Sequence, residues 1–207
     1  MGGLRVSICL LCLLTLALPP TAFAGKQIYE PLAASVQAAL SKSISDHAVP
    51  FLAFATEDEA RAWLAAMSRK LATRMPDRSA REEFLVTVHY EAKRAGLDPQ
   101  LVLGLIQVES NFRKYAVSPA GARGYMQVMP FWTRLIGSPE NNLFHIRTNL
   151  RYGCVILRHY LEIEQGNLFR ALGRYNGSLG RPEYPAMVER AWQRDWHYAA
   201  SARANLQ

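Results

Sequence analysis

The chain has 207 residues, of which 50% are hydrophobic and 20% are charged, and its formal net charge is +7. This composition is typical of a globular protein with one main core and a small appended segment, and the sequence shows no repeat or low-complexity tract. The basic balance favours an anionic partner, either nucleic acid, a membrane surface or an acidic polymer. A solvated basic surface explains the charge equally well.

Residues 1–24 have the pattern of a secretory signal peptide. Arg5 precedes an apolar run over 6–18, two prolines end that run, and the small residues Ala22 and Ala24 flank a phenylalanine. The run is too short to cross a bilayer comfortably. We therefore predict export, cleavage after Ala24 and no stable membrane span afterwards, with an uncleaved anchor as the alternative.

Export changes the reading of the cysteines. Cys9 and Cys12 leave with the leader, so Cys154 remains alone and cannot form an internal disulfide. Its apolar neighbours predict a buried small side chain, and a reactive thiol is the alternative. Outside the cytoplasm nucleic acid becomes a poor partner, whereas an acidic polymer of the cell envelope becomes a better one.

Helix signals occur in almost every segment after the leader, and no convincing strand pair is present. Thr56 with Glu59 has the spacing of a capping box, and Ser79 with Glu82 repeats it. Gly96 then suits a C-terminal stop. The fold class predicted from these signals is all-α.

The next predicted helix starts at Asp98, carries the apolar run "LVLGLIQVES" and ends near Ser110. A long irregular, glycine-rich stretch follows over 111–132. Trp192 and Trp196, spaced by four, predict a packing face, and a sugar-binding platform is the alternative. Further helices are predicted at 146–166, at 167–175 and from Glu183.

Two parts are predicted after the leader. Residues 25–78 form an N-terminal helical extension that wraps the main domain, and residues 79–207 form that domain. Pro76 marks the junction.

The search for chemistry leaves one carboxylate. The histidines are scattered, and the chain has no H-E-x-x-H, no paired cysteine motif and no G-x-S-x-G. We therefore expect no metal and no cofactor. Of the five acids between residues 97 and 180, only Glu109 adjoins both an apolar helix and the glycine-rich stretch. The other four are Asp98, Glu140, Glu162 and Glu164.

The environment of Glu109 suits an acid. Apolar neighbours are expected to raise its pKa and keep it protonated near neutral pH, although an ordinary surface glutamate at a helix end is the alternative. Ordinary glycosidases need a second carboxylate. None is evident near Glu109, and an acid from 25–78 that folds over the groove is left open.

Two stretches resemble a known family. "ESNFRKYAVSPAGARGYMQVMP" (109–130) and "RYNGS" (174–178) are similar to signatures of the soluble lytic transglycosylases, and their parts occur in the family's order. The resemblance covers about 79–198. It implies a helical, goose-type-lysozyme-like catalytic domain within 79–207.

The resemblance also implies residue roles. Glu109 matches the single catalytic acid and base, and Tyr175 matches a tyrosine whose hydroxyl lies near that acid. Two positions depart from the pattern: Tyr125 stands where leucine is common, and Arg174 where alanine is common. The positions expected to contact substrate are Ser110, Ser118, Met126, Gln127, Tyr175 and Asn176.

The implied activity is that of a peptidoglycan lytic transglycosylase. Such an enzyme cleaves the β-1,4 bond between N-acetylmuramic acid and N-acetylglucosamine and leaves a 1,6-anhydro ring on the muramic acid. We expect a periplasmic monomer that acts on glycan strands, either in general wall turnover or with a secretion or pilus machine. The alternatives are a lysozyme-like hydrolase and a glycan-binding protein without activity.

Overall fold

Helices form nearly all regular structure in the computed structural model, which describes residues 27–45 and 48–199. Within these residues the only strand-like pairing is two isolated bridges, so the all-α prediction is confirmed. The leader and its cleavage site lie outside the described residues. The helices are α1 (Ala34–Ile44), α2 (Glu57–Leu71), α3 (Arg78–Arg94), α4 (Pro99–Ser110), α5 (Phe131–Ile136), α6 (Ile146–Ile163), α7 (Leu168–Asn176) and α8 (Glu183–Arg190), followed by a π-helical turn (Ala191–Asp195).

Two predicted helix starts are confirmed. The Thr56 hydroxyl accepts a hydrogen bond from the Glu59 N–H at 3.2 Å, at the start of α2. The Asp98 carboxylate accepts one from the Gln100 N–H at 2.7 Å, and Pro99 is the first residue of α4. Each cap satisfies an N–H group that has no partner inside the helix.

The predicted start of α3 is wrong. The carboxylate of Asp77 accepts from the Ala80 N–H at 2.7 Å, so the helix begins at Arg78 and Ser79 lies inside it. Aspartate and serine are both good caps, and here the earlier one is used.

The irregular stretch is shorter and more ordered than predicted. Val117 and Arg123 form one bridge, Arg123 and Val128 the other, and α5 starts directly after Pro130. We call residues 116–130 the bridged loop. At six residues, α5 is too short for a periodic pattern to reveal it.

The buried helix α4 packs against α3, α8 and the π-helical turn. Gly104 allows the closest approach, since a Cβ there would lie 2.8 Å from the backbone nitrogen of Trp192. Trp196 is buried and Trp192 packs against the core, which confirms a packing face, and the Trp196 indole N–H donates to the side chain of Gln107 at 2.8 Å. This packing fixes the C-terminal end of α4.

The N-terminal segment shares the core. Trp63, Met67 and Leu71 of α2 are buried in the same hydrophobic cluster as the later helices, and α1 packs on α5 and α6. The division at residue 78 stays a prediction. Cys154 is buried as predicted, and burial raises the pKa of its thiol. No helix among the described residues is both long and apolar enough to cross a membrane.

A buried ion cluster joins three of these helices. Glu91 of α3 is fully buried, and its carboxylate pairs with Arg94 at 3.1 Å, Arg147 at 3.3 Å and Arg151 at 2.9 Å. Arg151 also donates to the Ile44 carbonyl at 3.0 Å. The cluster therefore ties the end of α1 to α3 and α6.

Candidate active site

Glu109 lies in the last turn of α4 and is only 3% exposed. The hydroxyl of Tyr184, in the first turn of α8, donates to its Oε1 at 2.5 Å. Tyr184 is itself buried. The alternative of an ordinary surface glutamate is thereby excluded.

Two buried tyrosines lie within electrostatic reach of Glu109. Burial, and then the negative charge of Glu109, raise the pKa of both Tyr175 and Tyr184 well above the usual value. Both hydroxyls therefore keep their protons at any working pH and remain hydrogen-bond donors.

The two tyrosine hydroxyls have different hydrogen-bond partners. The Tyr175 hydroxyl donates to the Met126 carbonyl at 2.7 Å, whereas the donor to Glu109 is Tyr184. In the sequence, Tyr184 belongs to an apolar spacing of four that reads as a packing face, so no local signal marks it. Tyr175 joins α7 to the bridged loop.

Asn149 of α6 organises that loop, although no motif in the sequence marks it. Its side chain is fully buried. Its Oδ1 accepts from the Met126 N–H at 2.8 Å, while its Nδ2 donates to the carbonyls of Arg123 at 2.8 Å and Leu143 at 2.9 Å. One amide thus satisfies three backbone groups.

The two loop glycines serve different purposes. Gly124 has φ 76°, and a Cβ there would lie 2.5 Å from Nδ2 of Asn149. Gly121 has φ 87° with nothing within 4 Å of such a Cβ. Gly121 is therefore an ordinary turn glycine, whereas Gly124 is needed because the Asn149 side chain lies so close to it.

Three predicted substrate contacts are buried. Ser110 donates to the Tyr125 carbonyl at 2.7 Å, which fastens the end of α4 to the loop. The Met126 side chain packs against Gly153 in the core. The Gln127 amide donates to backbone carbonyls of the loop itself. Their contacts with substrate stay predictions.

Two more of the six predicted contacts, Ser118 and Asn176, lie at turns, and substrate contact by Tyr175 likewise stays a prediction. The Ser118 hydroxyl accepts from the Ala122 N–H at 3.1 Å, across the tip of the loop. Asn176 is the last residue of α7 and is followed by Gly177 at φ 75°. Both side chains are largely buried, and their contacts with substrate likewise stay predictions.

Both departures from the family pattern have structural reasons. The Tyr125 ring packs on Phe84 with ring centroids 4.7 Å apart, and burial raises the pKa of Tyr125 to about 12. Arg174 pairs with Glu164 at 2.7 Å and with Glu30 of the N-terminal segment at 3.1 Å. Arg174 therefore holds that segment against α7.

The acids of the N-terminal segment bear on the question of a second carboxylate. Among the described ones, Glu30 pairs with Arg174, and Asp77 caps α3. Glu57 and Asp58 both pair with Arg61 on the exposed side of α2, where Glu59 is exposed too. Four of these five acids are thus held in ion pairs or in a helix cap.

The comparisons with known proteins agree with this geometry. The family model "Transglycosylase SLT domain" matches residues 87–187, a range that contains Glu109, the bridged loop and Tyr184. Residues 87–187 of this chain thus resemble a transglycosylase SLT domain. The resemblance to the soluble lytic transglycosylases is thereby confirmed, together with the helical fold class that it implied.

Curated relatives match over part of their length. "Membrane-bound lytic murein transglycosylase C" of Actinobacillus pleuropneumoniae serotype 5b is 52% identical over 48 residues, which cover 23% of this chain and 13% of that protein. "Transglycosylase" of Enterobacteria phage PRD1 is 31% identical over 103 residues, which cover 50% and 38%. The chain thus spans well under half the length of these relatives.

Among solved structures, an inactive mutant of the lytic transglycosylase Slt from Pseudomonas aeruginosa is similar to this chain. The sequence identity is 25% and the TM-score is 0.42. The match covers 68% of this chain and 27% of that one.

Proposed function

We propose that this protein is a peptidoglycan lytic transglycosylase in which Glu109 acts first as an acid and then as a base. The observation that carries the proposal is the burial of Glu109 within the SLT domain, with the Tyr184 hydroxyl hydrogen-bonded to Oε1. A carboxyl group enclosed in this way is shielded from bulk water and is suited to exchange its proton with a bound substrate.

The reaction needs only one carboxylate. Glu109 donates its proton to the oxygen that bridges N-acetylmuramic acid and N-acetylglucosamine, as the bond from that oxygen to C1 of the muramic acid breaks. The 2-acetamido group of the substrate supports the positive charge at C1 in place of a protein nucleophile. The ionised Glu109 then takes the proton of the C6 hydroxyl, whose oxygen bonds to C1 and closes the 1,6-anhydro ring. No water is consumed.

Tyr184 supports both steps. Its hydroxyl stays protonated because burial and the charge of Glu109 raise its pKa. It therefore remains a donor to the carboxylate that forms after the first proton transfer, and it fixes the carboxylate for the second transfer.

The location follows from the substrate. Peptidoglycan lies outside the cytoplasmic membrane, so this activity requires export, for which residues 1–24 supply the predicted leader. We place the protein in the periplasm as a monomer acting on glycan strands. The intact mass of protein purified from the periplasm tests the leader, because cleavage after Ala24 removes a defined mass.

Digestion of purified peptidoglycan tests the activity. Mass spectrometry of the soluble products should show 1,6-anhydro sugars with the wild type and none with Glu109→Gln. Glu140→Gln is the matched control, because it makes the same chemical change at an exposed turn. Anhydro products from Glu109→Gln at the wild-type rate would refute the role of Glu109, and binding without any product would favour a glycan-binding protein.

A further inference from the structure

Gln27 connects the N-terminal segment, the described residues before α3, to the bridged loop. Its side chain is only 3% exposed. Its Nε2 donates to the Gln127 carbonyl at 3.3 Å, and its Oε1 accepts from the Met129 N–H at 3.1 Å. One side-chain amide thus pairs with an acceptor and a donor of the loop backbone, as an adjacent strand would do.

The loop needs support at this point. Gln127 has φ 48°, a left-handed conformation that is unfavourable for a residue with a side chain. Its N–H turns back to the Gly124 carbonyl at 3.2 Å. Gln127 is buried, so its backbone carbonyl would destabilise the fold if it had no hydrogen-bond partner. The Gln27 amide is that partner.

The same side chain also reaches the residues around Glu109. The Gln27 amide lies within hydrogen-bonding reach of the Tyr175 hydroxyl. That hydroxyl donates to the Met126 carbonyl, one residue before Gln127. Tyr175 is close enough to Glu109 for the charge of the carboxylate to act on it. Gln27 therefore contacts both the loop and the tyrosine that anchors it.

Its neighbours hold Gln27 in this place. The Tyr29 ring meets the Phe131 ring edge-on, with centroids 5.6 Å apart. Glu30 pairs with Arg174 at 3.1 Å, and Arg174 stands where the family commonly has alanine. The backbone next to Gln27 is thus fixed against α5 on one side and α7 on the other.

We propose that Gln27 is a positioning residue of the active site, which fixes the 126–129 backbone and the Tyr175 hydroxyl relative to Glu109 from the N-terminal segment. This inference rests on the proposed transglycosylase function. It makes the N-terminal segment a working part of the site, and it explains why a buried glutamine lies three residues after the predicted cleavage point.

The first test measures the rate of anhydro-product release from soluble glycan strands by the full chain. Gln27→Ala should lower kcat roughly tenfold or more and change KM little, because displaced catalytic groups cost rate rather than affinity. Gln27→Glu should be no faster than Gln27→Ala, because it keeps the acceptor for the Met129 N–H but places a carboxylate oxygen against the Gln127 carbonyl.

Gln37→Ala is the matched control. Gln37 lies on α1, and its side-chain amide donates to the Leu135 carbonyl at 2.6 Å. This is the same type of hydrogen bond from the same segment, but its acceptor lies outside the bridged loop. Its kcat should equal that of the wild type. A rate for Gln27→Ala that equals this control, or that falls only with the folded fraction, overturns the proposal.

The second test needs no substrate. Hydrogen exchange of the Met129 amide, followed by NMR, should be faster in Gln27→Ala than in the wild type and unchanged in Gln37→Ala. Unchanged exchange in Gln27→Ala also overturns the proposal. If the wild type releases no anhydro product, the proposed function fails, while this measurement still decides whether Gln27 holds the loop.

Discussion

The Tyr184 hydroxyl donates a 2.5 Å hydrogen bond to Oε1 of Glu109, although 75 positions separate the two residues in the chain. Both side chains are buried, so water does not compete for this contact. The bond joins the start of α8 to the end of α4. It fixes the orientation of the carboxyl group on which the proposed reaction depends.

Tyr184→Phe should therefore change both rate and pH dependence. Loss of a donor to an ionised carboxylate destabilises it by about 1.5–3 kcal/mol, so kcat should fall roughly tenfold or more. Loss of that donor also raises the pKa of the carboxyl group. The proton-donating form then persists to higher pH, so the alkaline limb of the kcat/KM profile should shift to higher pH.

Tyr152→Phe is the control for this change. Tyr152 is an equally buried tyrosine on α6, and its hydroxyl lies beside Gly137 rather than Glu109. Its pH profile should match that of the wild type. A wild-type profile for Tyr184→Phe as well would contradict the assigned role.

Gly124→Ala should destabilise the protein strongly. The new Cβ combines a positive φ with a clash against Asn149, and together these cost about 3 kcal/mol. Gly121→Ala has the positive φ without the clash and should cost about 1 kcal/mol. Urea unfolding of both variants measures the difference, and equal losses would show that Asn149 does not constrain the loop.

Glu91→Gln should also be costly. It removes the negative charge that three arginines share in a buried cluster, with an expected loss of about 3 kcal/mol in the free energy of unfolding. Glu162→Gln breaks an exposed pair with Arg158 and should cost under about 0.5 kcal/mol. Chemical denaturation compares them, and similar stabilities would refute a structural role of the cluster.

The free energy of unfolding should decrease as the pH falls, and we expect His89 to be the cause. Burial, with a smaller effect of Lys93, lowers the pKa of His89 to about 4. The unfolded chain binds that proton near pH 6.5, so the free energy of unfolding decreases as pH falls from about 6.5 to about 4. His89→Leu should flatten this slope. The exposed His197→Leu should leave it unchanged, and equal slopes in both variants would exclude His89 as the cause.

Helix starts could be predicted where one residue decides the cap, as at Thr56 and Asp98. At α3 two candidates compete two positions apart, and spacing alone does not rank them. The glutamate that suggested a capping box with Ser79 instead pairs with Arg78 at 2.8 Å. Local patterns thus give the helix and miss its first residue.

Glu109 could be found from the sequence because its apolar run and its motif are adjacent in the chain. The residues that hold the site could not be found in this way. Gln27 lies 100 positions before its partner Gln127, and Asn149 reaches Met126 of the loop from α6. Such contacts depend on how the helices pack, and a pattern along one segment does not contain that information.

The most direct test of the account is digestion of peptidoglycan by the wild type in water enriched in heavy oxygen. Ring closure by the C6 hydroxyl uses no water. The account therefore predicts products that are lighter than hydrolysis products by one water molecule and carry no heavy oxygen at the cleaved C1. Products with one heavy-oxygen atom at that carbon would mean hydrolysis, and they would contradict the role of Glu109 as acid and then base in ring closure.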